Sequence, residues 1–188
     1  AGRASTWEDI GELNKRYKLA PFFTGIDSGW GLRADECYNI CSANRWFALK
    51  GDQAADYVHP RKNLPPLKKF YSTMQRAIGS SGRSAMLVLW SNENTKDILT
   101  RLRSGRMQAF EIAGDVDKHY HTQMLSEVKR DVRSKTPGQV SRRYVQINRR
   151  PNHLWDCEAM QVTRALFKGL LKPEEEPAIE VVETGAAA

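Results

Sequence analysis

The sequence predicts an α/β fold. Short apolar segments that suit buried strands alternate along the chain with segments whose apolar residues recur at helical spacing. Such alternation is typical of a sheet flanked by helices. The length of 188 residues and the hydrophobic content of 40% suit one ordinary globular domain. No apolar run reaches the roughly 18 residues of a membrane span, so we expect no membrane partner.

The first third of the chain predicts helices and strands in alternation. STWEDIGELNKRY begins with a capping box of Ser5 and Glu8 and continues as a helix. APFFTGID is an apolar run that predicts a buried strand ending at Asp27. RADECYNICSAN predicts a second helix and RWFALKG a second strand. The Pro-rich segment DQAADYVHPRKNLPPLKK predicts a long loop.

The remainder continues the alternation. AMLVLW predicts a strand, and SNENTKDILTRLRSG a helix with Asn94 or Asp97 as its cap and Gly105 after its end. MQAFEIA predicts a fourth strand, DKHYHTQMLSEVKRDVRS a helix, and QVSRRYVQIN a fifth strand. PNHLWDCEAMQVTRALF predicts the last helix, with Pro151 in its first turn and Asn152 as its cap.

Two aspartates are the candidate functional acids. Asp27 ends a predicted strand, where ligands of α/β sheets gather. Asp156 opens an otherwise apolar line of the last helix, so its carboxylate must be paired, hydrogen-bonded or bound to a cation. Together they could hold a divalent cation. The alternatives are that Asp27 caps a turn, and that Asp156 accepts first-turn amides or pairs with Arg149 or Arg150.

A zinc site is a second metal hypothesis. Cys37 and Cys41 are four residues apart on one predicted helix, and His153 and Cys157 are four apart on another. Two such helices side by side could form a Cys3His site. The alternative is that the cysteines are free, buried thiols, in keeping with a reducing compartment.

Charge divides the chain into two parts. Residues 173–188 hold five glutamates and no base, so this segment has a formal charge of −5. The whole chain has a net charge of +7, and residues 1–172 therefore carry +12. We expect a domain over 1–172 and an acidic disordered tail over 173–188. Residues 129–150 hold eight bases and one acid, which favours a polyanion partner such as nucleic acid. The alternative is a solvated basic face. Motifs of P-loop ATPases, HExxH metalloproteases and GxSxG hydrolases are missing from the sequence.

Taken in order, several segments resemble the C-terminal nuclease region of the lambda-type (GpA-like) phage terminase large subunit. TGIDSG and ADECYNICSANRWFALKGD resemble its strand ending in I-D-S-G, the helix that follows, and its strand ending in K-G. NTKDILTRLRSG resembles its A-A-K-D helix, and KHYHTQMLSEVK its E-Y-F-x-Q-L-x-x-E segment. RRPNHLWDCEAMQVTRAL resembles its R-x-N-E-x-L-D-C signature.

The resemblance implies an RNase H-like mixed sheet flanked by helices, without its first strands. It implies a metal-dependent endonuclease that cuts concatemeric viral DNA by two-metal phosphodiester hydrolysis with Mg²⁺ or Mn²⁺. Asp27 and Asp156 would be the catalytic metal ligands. Glu93 falls where the family often has Asp, so it is a further candidate ligand, with a helix-capping role as the alternative.

The resemblance also implies partners. Double-stranded DNA is the expected substrate, other terminase subunits and the portal are the expected protein partners, and the host cytoplasm is the expected location. Lys50 would lie near the groove. The candidate DNA-binding residues are Lys50, Arg133, Lys135, Arg142, Arg143, Arg149 and Arg150.

Two departures from the family pattern define a rival hypothesis. The usual Glu of the signature is His153 here, and the family carries another acid on a strand before the matched region. The acids available there are Glu8, Asp9 and Glu12, all on a predicted helix. The ATPase motifs are also missing. The rival is a non-enzymatic DNA-binding or docking fragment of the terminase with an incomplete metal site.

Overall fold

The computed structural model describes residues 4–29, 31–78, 82–133 and 140–172. These ranges contain both helices and strands, as the sequence pattern predicts, but five strands follow one another in the middle of the chain. None of the helices described there is long and apolar enough to cross a bilayer. In chain order the elements are α1 (Trp7–Arg16), β1 (Gly25–Asp27), α2 (Ala34–Asn44), β2 (Phe47–Asp52), β3 (Tyr57–Arg61), β4 (Leu64–Lys69), β5 (Tyr71–Ala77), β6 (Ser84–Ser91), α3 (Asn92–Arg103), α4 (Lys118–Met124), β7 (Glu127–Arg133), β8 (Val140–Gln146) and α5 (His153–Phe167).

The central sheet is mixed, which confirms the α/β prediction. Its strand order is β1-β2-β6-β5. β1, β2 and β6 run parallel, and β5 pairs antiparallel with β6. The carboxyl ends of three parallel strands therefore meet at one edge of the sheet, and Asp27 is the last residue of β1. That edge is where functional groups are expected.

Each face of the sheet has its own core. Leu49 of β2 and Val88 of β6 pack in a cluster with α3 and α5. Their neighbours Ala48 and Leu87 pack in a second cluster with α2. This alternation follows from the period of two in a strand, and it fixes which side chains face which helix.

Two hairpins complete the described fold. β3 pairs antiparallel with β4, and β7 pairs antiparallel with β8, each as a separate two-stranded sheet. One face of the β7–β8 hairpin lies against α3: Tyr144 Oη contacts Thr100 Oγ1 at 2.9 Å and Asp97 Oδ1 at 3.0 Å. The hairpin thereby brings the basic segment next to the helix that follows β6.

The capping box at the chain start lies one residue later than predicted. Thr6 is the N-cap of α1 and accepts from the Asp9 amide at 3.2 Å. The Asp9 carboxylate accepts in return from the amides of Ser5 and Thr6, at 2.8 and 2.9 Å. The Ser5–Glu8 prediction was wrong because Asp, like Glu, can close the box at the third helical position.

Four other element predictions were wrong in whole or in part, and one strand was not predicted. The predicted Pro-rich loop forms the β3–β4 hairpin, and only Gly25–Asp27 of APFFTGID is a strand, since Pro21–Phe23 form a 3-10 turn. β5 was not predicted. MQAFEIA is irregular, although Met107 and Phe110 still pack against the core. The predicted helix through residues 117–134 stops at Met124, and its second half is β7. The prediction of a disordered tail concerns residues 173–188, which lie outside the described residues.

Candidate active site

A buried lysine joins two carboxylates where α3, β7 and the start of α5 meet. The ammonium nitrogen Nζ of Lys96 lies 2.8 Å from Oε2 of Glu127 and 2.8 Å from Oδ1 of Asp156. The exposed fractions of the three side chains are 3%, 6% and 31%, in that order. Asp156 is therefore the member of the network that reaches solvent.

Neighbouring donors fix both carboxylates. The amide nitrogen Nδ2 of Asn152 donates to Oε1 of Glu127 at 2.7 Å and to Oδ2 of Asp156 at 3.0 Å. The indole of Trp155 donates to Oε2 of Glu127 at 3.1 Å. Asn152 is the N-cap of α5, as predicted, but its side chain makes no capping hydrogen bond and serves this network instead.

The cationic partner of Asp156 differs from both arginines suggested by the sequence. Lys96 occupies that place, while Arg149 and Arg150 are exposed in the loop before α5. Burial raises the pKa of Asp156 above its ordinary value, and Lys96 opposes that rise. The charges of Glu127 and Asp27 raise the pKa of Asp156 further.

Asp27 faces the same side of the sheet as α5. It is in register with Leu49, and a Cβ built on Gly25, two residues earlier, would collide with the Leu49 side chain. The exposed Asp27 carboxylate accepts the Gly29 amide through Oδ1 at 2.9 Å. Oδ1 of Asp27 therefore caps the turn, as the alternative interpretation of the sequence proposed. Oδ2 of Asp27 accepts no hydrogen bond from the described residues.

Lys50 and Glu93 were also predicted as site residues. Lys50 is in register with Leu89 of the α2-side core, so the strand pleat directs it to the face opposite Leu49. Glu93, in the first turn of α3, accepts the Tyr144 amide through Oε1 at 3.1 Å. Its other oxygen is buried without a hydrogen-bond partner among the described residues. The Glu93 carboxylate thus ties α3 to β8, while Ser91 is the N-cap of that helix.

The donor set suits a hard divalent cation only in part. Asp27 and Asp156 supply carboxylate oxygens, the ligands that Mg²⁺ and Mn²⁺ take. In the described residues no group of three or more His, Cys, Asp or Glu side chains is placed to hold a metal ion. Two protein ligands with water completing the shell are a common arrangement for Mg²⁺, so the chemistry of these two carboxylates is compatible with one such ion.

The lack of a three-ligand group among the described residues also bears on the zinc hypothesis. Cys37 and Cys41 are buried in α2 with their sulfurs 3.9 Å apart. Cys157 on α5 is exposed. Within the described ranges these cysteines and His153 do not form a metal-binding group, so the zinc prediction finds no support there.

The basic segment forms the β7–β8 hairpin and the loop after it. On the face toward α3, Lys129 forms an ion pair with Asp97. On the opposite face, Arg130 and Arg143 are directly cross-strand from each other and both are exposed. Arg142 lies 4.0 Å from Asp131, and both side chains are more than 70% exposed. Arg133, Arg149 and Arg150 are exposed, and Lys135 lies outside the described residues.

Lys96 and Glu127 were not predicted as site residues. The signal for Lys96 was present, because it lies three residues before the fully buried Leu99 on the inner line of α3. Glu127 carried no such signal, since its segment was predicted to be helical and is a strand.

A mixed α/β sheet with acids at its carboxyl edge and a basic hairpin beside them describes a domain suited to act on nucleic acid. The family model of the terminase large subunit gpA endonuclease domain matches residues 5–175. The chain therefore belongs to the gpA terminase endonuclease-domain family. Comparisons with curated proteins and with solved structures gave no match.

Proposed function

We propose that this chain is a metal-dependent endonuclease domain that cuts concatemeric viral DNA during packaging. The observation that carries the proposal is the placement of two carboxylates on one face of the sheet: Asp27 at the carboxyl end of β1 and Asp156 in the first turn of α5. Membership of the endonuclease-domain family supports it. The RNase H-like topology that the family resemblance implies stays a prediction.

Asp27 and Asp156 are the proposed ligands of Mg²⁺ or Mn²⁺. When bound, the ion supplies Lewis acidity for phosphodiester hydrolysis. Asp27 has one oxygen without a hydrogen bond from the described residues, and Asp156 is fixed by Lys96 and Asn152. These contacts hold the two carboxylates in place before an ion arrives. A ligand role for Glu93 stays a prediction, and so does the two-ion form that the family resemblance implies, although the ammonium of Lys96 between Glu127 and Asp156 argues against it.

The basic hairpin is the proposed DNA-binding surface. A cross-strand pair of like charges such as Arg130 and Arg143 is destabilising on its own and is relieved when an anion lies between the two. Phosphate oxygens are suitable anions, and such contacts position a duplex without reading its sequence. The proposed contacts on this hairpin and the loop after it are Arg133, Lys135, Arg142, Arg143, Arg149 and Arg150. Lys50, on β2, is a separate proposed contact outside the hairpin. Double-stranded DNA, other terminase subunits and the portal are the proposed partners, and the host cytoplasm is the proposed location.

One observation favours a second candidate, a non-enzymatic DNA-docking domain. The described residues contain no group of three metal-binding side chains, and three carboxylates hold two ions better than two do. A docking domain needs only the basic hairpin.

Plasmid nicking separates the two candidates. Wild-type protein is expected to nick supercoiled DNA in Mn²⁺, more weakly in Mg²⁺ and not in EDTA, because Mn²⁺ tolerates imperfect geometry better than Mg²⁺. Asp156→Asn should abolish nicking and keep the fold, while Asp115→Asn, in an exposed turn, should nick like wild type. Equal nicking by wild type and Asp156→Asn would trace the activity to a contaminant. DNA binding without nicking at any Mn²⁺ concentration would establish the docking candidate.

A further inference from the structure

The acidic cluster of the site contains its own cation. Lys96 places one ammonium between the carboxylates of Glu127 and Asp156, and Asp27 adds a third carboxylate on the same face of the sheet. The formal charges of these four side chains sum to −2. One divalent ion neutralises that remainder, whereas two would leave the cluster with an excess of positive charge in a partly buried place.

Two carboxylates hold Lys96 in this position. Its side chain is 3% exposed, and its ammonium contacts Glu127 and Asp156 at the same distance of 2.8 Å. Buried lysines are rare unless they are paired, because desolvating an ammonium is costly. The buried carboxylate of Glu127 is likewise unfavourable beside that of Asp156 without a cation. The three groups therefore stabilise one another in the absence of any added ion.

Glu127 is poorly suited to hold a metal ion in this arrangement. Its Oε2 accepts from Lys96 and Trp155, which occupies both lone pairs of that oxygen. Its Oε1 accepts from Asn152 at 2.7 Å. A metal ion between Glu127 and Asp156 would have to displace the ammonium of Lys96.

We infer that Lys96 is a built-in cation in the place of a second divalent ion, so that the cluster binds one divalent ion, held by Asp27 and Asp156. The single-ion part of this inference rests on the proposed function. Lys96 is a positioning residue. Its ammonium fills the space between Glu127 and Asp156, and it holds the carboxylate of Asp156 in place. The cluster is thereby limited to a single ion.

Counting bound Mn²⁺ by electron paramagnetic resonance, on the chain without DNA, tests the inference. Wild type should bind one Mn²⁺. Lys96→Ala removes the ammonium, opens the space between Glu127 and Asp156, and should bind two. Lys96→Arg keeps the charge and should bind one. Lys129→Ala is the matched control, since Lys129 pairs with Asp97 outside the cluster, and it should also bind one.

The outcomes are separable. Equal numbers of Mn²⁺ in wild type and Lys96→Ala overturn the role of Lys96. A wild-type count of zero or two overturns the single-ion assignment. If Lys96→Ala does not fold, Mn²⁺ soaked into wild-type crystals decides: anomalous density beside Asp27 and Asp156 with Lys96 in place supports the inference, and density in the position of Lys96 overturns it. Absence of nicking, with these counts as expected, would refute the nuclease and leave the assignment of Lys96 intact.

Discussion

The ammonium of Lys96 lies 2.8 Å from Oδ1 of Asp156 and joins the first half of α3 to the first turn of α5. Because Glu127 shares the same ammonium, removing Lys96 leaves the buried carboxylate of Glu127 and the half-buried carboxylate of Asp156 without their cation.

We expect Lys96→Met to lower the free energy of unfolding by about 3–5 kcal/mol, the usual cost of breaking a buried ion pair from one side. Lys129→Met is the matched control. It also removes an ion-paired lysine, but Lys129 and Asp97 are 28% and 36% exposed, so its cost should stay below about 1 kcal/mol. Urea unfolding of both variants measures the difference. Equal costs would show that the Lys96 network contributes little to stability.

DNA binding by the hairpin should depend steeply on salt. Each phosphate contact adds about −0.9 to the slope of log K against log salt concentration. Arg143→Gln should reduce the magnitude of that slope by about one contact and weaken binding equally for duplexes of different sequence. Lys15→Gln, which removes a base paired with Glu12 on α1, should leave the slope unchanged. Fluorescence anisotropy over a salt series gives these slopes, and a flat wild-type curve would favour a merely solvated basic face.

The position of the α1 cap can be tested by two single substitutions. Thr6→Ala removes the side-chain acceptor of the Asp9 amide and should cost about 1 kcal/mol, as N-cap substitutions usually do. Ser5→Ala is the matched control, because Ser5 contributes only its backbone amide to the box and should cost almost nothing. Chemical unfolding followed by circular dichroism compares the two. A larger loss of stability in Ser5→Ala than in Thr6→Ala would show that Ser5 is the N-cap.

The same box predicts an acid-sensitive contribution to stability. Hydrogen bonds from the amides of Ser5 and Thr6 lower the pKa of Asp9 below its ordinary value of 3.8. A lowered folded-state pKa means that the stabilisation is present above the unfolded-state value and is lost as the pH falls through the folded-state value. Amide exchange in α1 should therefore accelerate below about pH 4 in wild type. In Asp9→Asn this acceleration should be absent, and an identical pH profile in both proteins would contradict the assignment.

Local patterns predicted the central elements because those elements are locally consistent. The helices α2, α3 and α5 and the strands β2, β6 and β8 carry strong apolar periodicity, and the structure has each of them. The second half of the segment 117–134 was predicted as helix, and Val128 and Val132, four residues apart, do lie at a helical spacing. Pairing with β8, which is distant in sequence, overrides that local preference and makes it a strand.

The candidate site was predictable where it depends on strand ends and helix starts. Asp27 and Asp156 stood out because each is an acid at a structural boundary. Lys96 and Glu127 could not be paired from sequence, because their contact depends on how α3 packs against the hairpin. A charged residue can be predicted to be buried only when its counter-ion is known. The counter-ion of Lys96 on α3 is Glu127, which lies on β7.

The network at Lys96 also bears on when the site forms during folding. Its contact with Glu127 closes a separation of 31 residues, and the contact of Glu127 with Trp155 closes one of 28. Each closure costs conformational entropy that only the finished tertiary structure offsets. A chain still emerging from the ribosome, or one partly unfolded, therefore keeps its acids apart. If the domain cuts DNA as proposed, an immature copy has no assembled centre with which to damage the viral genome.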